Sequence, residues 1–162
     1  MTRPSPQSIS MEWWQMIALS REPDFLIGPA HDPYMRRWWL TPRNDTHNVY
    51  LHHFMHDDDD RALHDHPWES FSTLLSGILR EVDDEHPEGT ILEQGATRHR
   101  PADYAHRLEV IEPGFTLFVT GPKVREWGFH CPNGWVDWKS FCAVDENGKN
   151  TGQLGRGCGE MA

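Results

Sequence analysis

From Met35 to Phe141 the chain is a succession of short segments with a period of two, separated by glycine and proline. Alternation of this kind places every second side chain on one face of a strand. The predicted strands are Met35 to Leu40, Asn48 to Met55, Phe71 to Leu75, Ile78 to Asp83, Thr90 to Glu93, His106 to Ile111, Phe115 to Thr120, Val124 to His130 and Trp135 to Phe141. Thr41 to His47, Gly77, Glu88-Gly89, Pro113-Gly114, Gly121-Pro122 and Asn133-Gly134 punctuate them as turns. Many short strands at such spacing predict an all-β sandwich or barrel. Before them, Ser10 to Ser20 reads as one short helix, with Ser10 as its N-cap and Trp13, Met16 and Ile17 on one stripe. Pro23 limits its extension, and Gly28 to Pro33 reads as loop. The expected organisation is an arm and helix over 1–34, a β-barrel over 35–146 and a flexible Gly-rich tail over 147–162.

Within the strand region, His64 and His66 stand two apart, just ahead of an apolar run. In extended chain both imidazoles face the same way and converge on one point, as a metal site requires. On its own, His-x-His also fits a surface loop in a chain with eleven histidines. His106 opens a strand after the turn at Pro101, where an imidazole can be held rigidly at a barrel mouth; a histidine so placed, taken alone, is more often structural. Asp57 to Asp60 reads as a solvated acidic loop or as a cation-attracting mouth beside the histidines.

Together these stretches resemble the cupin superfamily. Its first motif is Gly, five residues, His-x-His, three or four residues, Glu, six residues, Gly. Its second is Gly, five residues, Pro-x-Gly, two residues, His, three residues, Asn. His64, His66 and Gly77 fit the first; Gly95, Pro101 and His106 fit the second at full spacing. The likeness spans roughly residues 49–141 and implies a double-stranded β-helix, a jelly-roll barrel. Three positions depart: Asp58 for the first glycine, and Asp103 and Val110 for the second motif's glycine and asparagine. The carboxylate position departs too. Counting back from Gly77, it is held by Ser70, with Glu69 one residue out of register. In a regular strand Glu69 points away from the face that Ser70 lines, although a bulge would let it reach the ion as a fourth ligand. The resemblance therefore implies a metal site of His64, His66 and His106, similar to that of the thiol and diketone dioxygenases, which lack the carboxylate.

Such a site leaves open positions on an octahedral ion, and without the carboxylate it is more positive by one charge, which favours an anionic or chelating small molecule. Fe(II) is the favoured metal, with Zn(II), Ni(II) or Mn(II) as alternatives. Parity with Ser70 turns Ser72 and Leu74 inward; parity with His106 does the same for Leu108 and Val110. The expected substrate contacts are Ser70, Ser72, Arg100, Tyr104 and Trp127. Arg100 would clamp a carboxylate if it faces inward, or stand on the surface if it does not.

Three function classes fit: an iron oxygenase, a non-redox metal enzyme (isomerase, lyase or hydrolase), and a binding module without turnover. A net charge of −10 excludes general nucleic-acid binding and docking on an anionic membrane. No apolar run reaches membrane-spanning length, and Met1 to Gln7 leads into no apolar signal core. Cys131, Cys142 and Cys158 are odd in number and show no zinc or disulfide spacing, so Cys131 and Cys142 read as ordinary strand cysteines and a reducing cytoplasm is the expected home. A homodimer is carried over from the resemblance.

Overall fold

The structure, a computed structural model, describes residues 11–57 and 62–159. The arm before Met11, Ser10, and Asp58 to Asp60 of the acidic run lie outside these residues.

The helix α1 is Trp13–Ser20, shorter than expected. It is started by Glu12, whose side chain and that of Gln15 cap each other's backbone N–H in a reciprocal box. Among the described residues twelve strands follow: β1 (Phe25–Ile27), β2 (Met35–Trp39), β3 (Asn48–Phe54), β4 (Leu63–His64), β5 (Ser70–Leu74), β6 (Ile78–Asp83), β7 (Thr90–Leu92), β8 (Thr97–Arg100), β9 (His106–Glu112), β10 (Gly114–Thr120), β11 (Gly128–Cys131) and β12 (Gly134–Asp137). They form two six-stranded antiparallel sheets, ordered β1-β2-β3-β10-β5-β8 and β12-β11-β4-β9-β6-β7. Alternation sorts the side chains: along β10 each even-numbered residue is buried, and in β5 Ser70 and Leu74 are buried while Phe71 is exposed.

Met35, Phe54 and Leu74 of the first sheet meet Leu79 and Leu92 of the second in one apolar cluster. Each such side chain stabilises the fold by roughly 1.5–3 kcal/mol. A second cluster joins Ala62, Phe129, Cys131 and Phe141, with the rings of Phe129 and Phe141 stacked 3.5 Å apart.

Three expectations give way to local chemistry. β11 begins at Gly128, not Val124, because the amides of Val124 and Arg125 turn to the carbonyl of Pro67. Trp138–Phe141 is a helical turn, α2, because the Asp137 carboxylate accepts from the Lys139 amide and stops β12. β1, β4 and β8, too short or too polar for a periodic signal, complete the sheets.

A closer approach occurs at the β9–β10 corner. A Cβ on Gly114 would lie 1.9 Å from the Ser76 carbonyl oxygen, and Gly77 beside it has φ +85°. Gly114→Ala is expected to cost roughly 1–3 kcal/mol of stability, read as a lower urea midpoint at unchanged slope.

The Gly-rich segment from Asn147 onward returns over the body. The Gly28 amide donates to the Gly152 carbonyl at 2.7 Å, Gln153 Nε2 donates to the Gly28 carbonyl, and Gly157 N donates to the Phe141 carbonyl. Cys158 closes a disulfide with Cys131 of β11, Cα atoms 5.6 Å apart. This corrects the reading of Cys131 as an unpaired strand cysteine. Spacing along the chain cannot show a pairing that depends on the tail's return across 27 residues. The cysteine premise for a reducing cytoplasm falls with it. Cys158→Ser is expected to lower stability by about 3 kcal/mol, through the lost restraint on the unfolded chain, and to do so only under non-reducing conditions. No helix among the described residues is long and apolar enough to cross a membrane.

Candidate metal centre

β4 lies between β9 and β11, and its register sets His64 directly opposite His106. His66 follows two residues on, its amide bonded to the Ala102 carbonyl at 3.0 Å. One ring nitrogen from each of His64, His66 and His106 can be chosen so that all lie within 4.8 Å of one another. His66 Nε2 and His106 Nε2 approach to 3.1 Å.

Asp65, between the two histidines, points the other way and locks the strand. The Gly128 amide, His130 Nε2 and Trp135 Nε1 reach its carboxylate at 2.9–3.0 Å, and Arg125 Nη1 lies 3.0 Å away. Burial raises its pKa, but these donors outweigh burial and hold it below the usual carboxylate range.

His106 is oriented from behind by Glu81 of β6, a residue the sequence reading did not single out. Nδ1 of His106 stands 2.6 Å from Glu81 Oε1, and Arg100 Nε donates to the same oxygen at 2.5 Å. Glu81 is only 2% exposed. Burial alone would raise its pKa; His106 and Arg100 together pull it down to about 2. An ionised carboxylate accepts, so His106 donates from Nδ1 and presents Nε2 with a free lone pair. Burial pushes His106 down to about 4, against the pull of Glu81. His66 lies well below its ordinary value, first through burial and then through the charges of His64, His106, Arg100 and Arg37. His66 and His106 are thus held neutral, and with His64 beside them they form a three-imidazole donor set that fits a first-row divalent ion; an outer carboxylate on one of them is a common support for such a ligand.

The three rings face a cavity of about 920 Å³ between the sheets. Trp68 stacks on His66 at 4.8 Å, and Trp127 stands 6.5 Å from His66 and parallel to Trp138. Ser72 is at the wall, accepting from Arg100 Nη1 at 2.7 Å, so Arg100 faces inward and is 4% exposed. Ser70 is fully buried behind the wall, its hydroxyl without a hydrogen-bond partner among the described residues. Tyr104 is also behind the wall, its hydroxyl donating to Asp83 Oδ2 at 2.5 Å. Glu69 is on the outer face, exposed, 3.1 Å from His99 Nε2, as strand parity without a bulge requires; it is not part of the three-histidine cluster. Strand parity could have found Glu81. It shares a face of β6 with Leu79, inside the core, and β6 pairs with the strand of His106.

No protein-family model and no curated protein matches the chain. Its likeness is to solved structures. A DMSP lyase from Ruegeria pomeroyi aligns with TM-score 0.52 and 17% identity over 65% of this chain and 57% of the lyase. A sugar phosphate isomerase from a cupin superfamily, from Silicibacter pomeroyi, aligns with TM-score 0.50 and 15% identity over 64% and 74% of the two chains. A putative mannose-6-phosphate isomerase from Ralstonia eutropha aligns with TM-score 0.50 and 18% identity over 58% and 90%. These likenesses support the cupin fold expected from the two motifs.

Proposed function

We propose that the protein is a mononuclear metal-dependent enzyme acting on a small anionic molecule, with Fe(II) as the metal and dioxygen as co-substrate. The observation that carries this reading is the convergence of His64, His66 and His106 at the wall of a cavity between the sheets. When bound, Fe(II) would supply the redox step with dioxygen, and Zn(II) in its place a Lewis acid. The chain's own part would be to hold three imidazole donors on one side of the ion, leaving the cavity side for substrate. Glu81 fixes the tautomer of His106, and Trp68 and Trp127 shield the rings from bulk water. Arg37, Arg43, Arg98 and Arg100 line the cavity, and Glu81 answers only two of them, an excess of positive charge that favours an anion.

A non-redox reading is favoured by the donor set itself, which suits zinc, nickel or manganese as well. The fold is also that of two proteins described as isomerases and one described as a lyase. Elemental analysis of protein purified without a histidine tag, with oxygen uptake measured over a panel of small carboxylates, separates the two. Iron with uptake supports the oxygenase; zinc without uptake supports the non-redox enzyme. A preparation that holds no transition metal after incubation with each ion would sink both.

A further inference from the structure

Four arginines line the cavity, Arg37, Arg43, Arg98 and Arg100; Arg43 lies over the Trp39 ring, and Glu81 answers Arg98 and Arg100. Arg100 bonds to it directly, and Arg98 Nε lies 3.2 Å from its second oxygen. Arg37 of β2 has no such partner. Its register neighbour across the sheet is His52 of β3, and Arg37 Nε donates to His52 Nε2 at 2.9 Å. Its guanidinium carbon lies over the Tyr50 ring, 5.0 Å from the centre. The nearby Asp24 is occupied by Arg21 and by the Trp39 amide. Among the described residues no carboxylate is paired with Arg37, and its two terminal nitrogens are left with no partner. The guanidinium is half-buried against an aromatic ring, and its terminal nitrogens open onto the cavity, where an anion can reach them.

The position relative to the histidines is that of a second anchor. Phe118 stands between them, its ring centre 4.9 Å from His52 and 6.5 Å from His66. One small molecule can therefore span both ends of the cavity.

We infer that Arg37, held by His52 and Tyr50, is the subsite for a carboxylate group of the ligand, with the remainder of the molecule lying over Phe118 toward His64, His66 and His106. With Nε taken by His52, the guanidinium offers the ligand its two terminal nitrogens. That edge matches the two oxygens of a carboxylate. The aromatic walls take the uncharged body, so the class is a small monocarboxylate with an apolar or chelating end. The role of the far end rests on the metal reading above; the carboxylate end does not.

The test uses phenylacetate, its neutral analogue phenylacetamide, and phenyl phosphate. Each is titrated by tryptophan fluorescence into the wild type, Arg37→Met and His106→Ala, with circular dichroism to establish that the variants fold. The expected result is phenylacetate bound more tightly than the amide by the wild type, and weakened at least about tenfold in Arg37→Met while the amide is unaffected. His106→Ala, lacking the metal, is expected to keep phenylacetate binding within about threefold. Loss in His106→Ala with no change in Arg37→Met would mean that the carboxylate sits on the metal, and would overturn the assignment. So would phenyl phosphate binding tenfold more tightly than phenylacetate through Arg37. Arg37-dependent binding by a protein that holds no metal would retain this subsite while the metal reading fails. If Arg37→Met does not fold, Arg37→Lys replaces it, with a loss of at least about fivefold expected from the lost two-point contact.

Discussion

His106→Ala is expected to reduce bound transition metal from about one ion per chain to less than about a tenth at micromolar free metal. Its Nε2 is one of three converging donors, and two imidazoles from a single His-x-His turn are a weak bidentate site. Even the loss of a group that only supports a ligand costs about 10–100-fold in affinity, and the loss of the ligand itself costs more. The ring is also 4% exposed and bonded to Glu81, so its removal strips the carboxylate of a donor and lowers stability by about 1–3 kcal/mol. The two effects separate cleanly. His106→Gln restores part of the volume and a donor to Glu81 while leaving metal binding lost. Elemental analysis and calorimetric melting on the same samples check both, and full metal occupancy in a folded His106→Ala variant would remove this residue from the site. The same comparison on Glu69→Ala is expected to show no change in metal content, because that side chain lies on the outer face.

The order of short strands was legible because their faces are chemically distinct. In β6 the span Ile78 to Asp83 was anticipated to the residue, and in β5, β9 and β10 to within one or two. Strand parity also turned Ser72 and Leu74 inward, and both line the cavity, while Ser70 of the same set does not; for Glu69 it left both the outer face and a bulged fourth ligand open. What stayed hidden depends on partners distant in the chain. β4 is two residues long and has no period of its own; it exists because β9 and β11 pair with it. Tyr104 reads as a ligand donor two residues before His106, yet Asp83 of the neighbouring strand claims its hydroxyl. Nothing in the Arg36-Arg37-Trp38-Trp39 segment singles out Arg37. Only the pairing of β2 with β3 sets it against His52. The Cys131–Cys158 link is the extreme case, since nothing in either local sequence shows that the tail comes back.

Glu81→Ala is expected to destabilise the fold by about 3–5 kcal/mol, the cost of leaving a buried guanidinium without its counter-charge. The carboxylate is 2% exposed and shared by Arg100, 4% exposed, and by His106, with Arg98 close by. Deleting it leaves Arg100 with Ser72 Oγ alone and frees His106 to take either tautomer. In the alternative tautomer Nε2 carries the proton and no longer offers a lone pair to a cation, so metal affinity is expected to fall about 10–100-fold as well. Glu81→Gln distinguishes charge from orientation. Its amide oxygen can still accept from His106 Nδ1, so it should retain more metal than Glu81→Ala, while the missing charge still costs stability. Adding Arg100→Met to Glu81→Ala is expected to return part of the lost stability, since the stranded charge goes with it, but none of the lost metal affinity. Urea unfolding of the four proteins, paired with metal titration, gives both numbers. If the double variant were no more stable than Glu81→Ala, the cost would lie in packing and not in the buried charge balance of the β6–β8–β9 cluster. If Glu81→Ala bound metal like the wild type, the carboxylate would have no part in orienting His106.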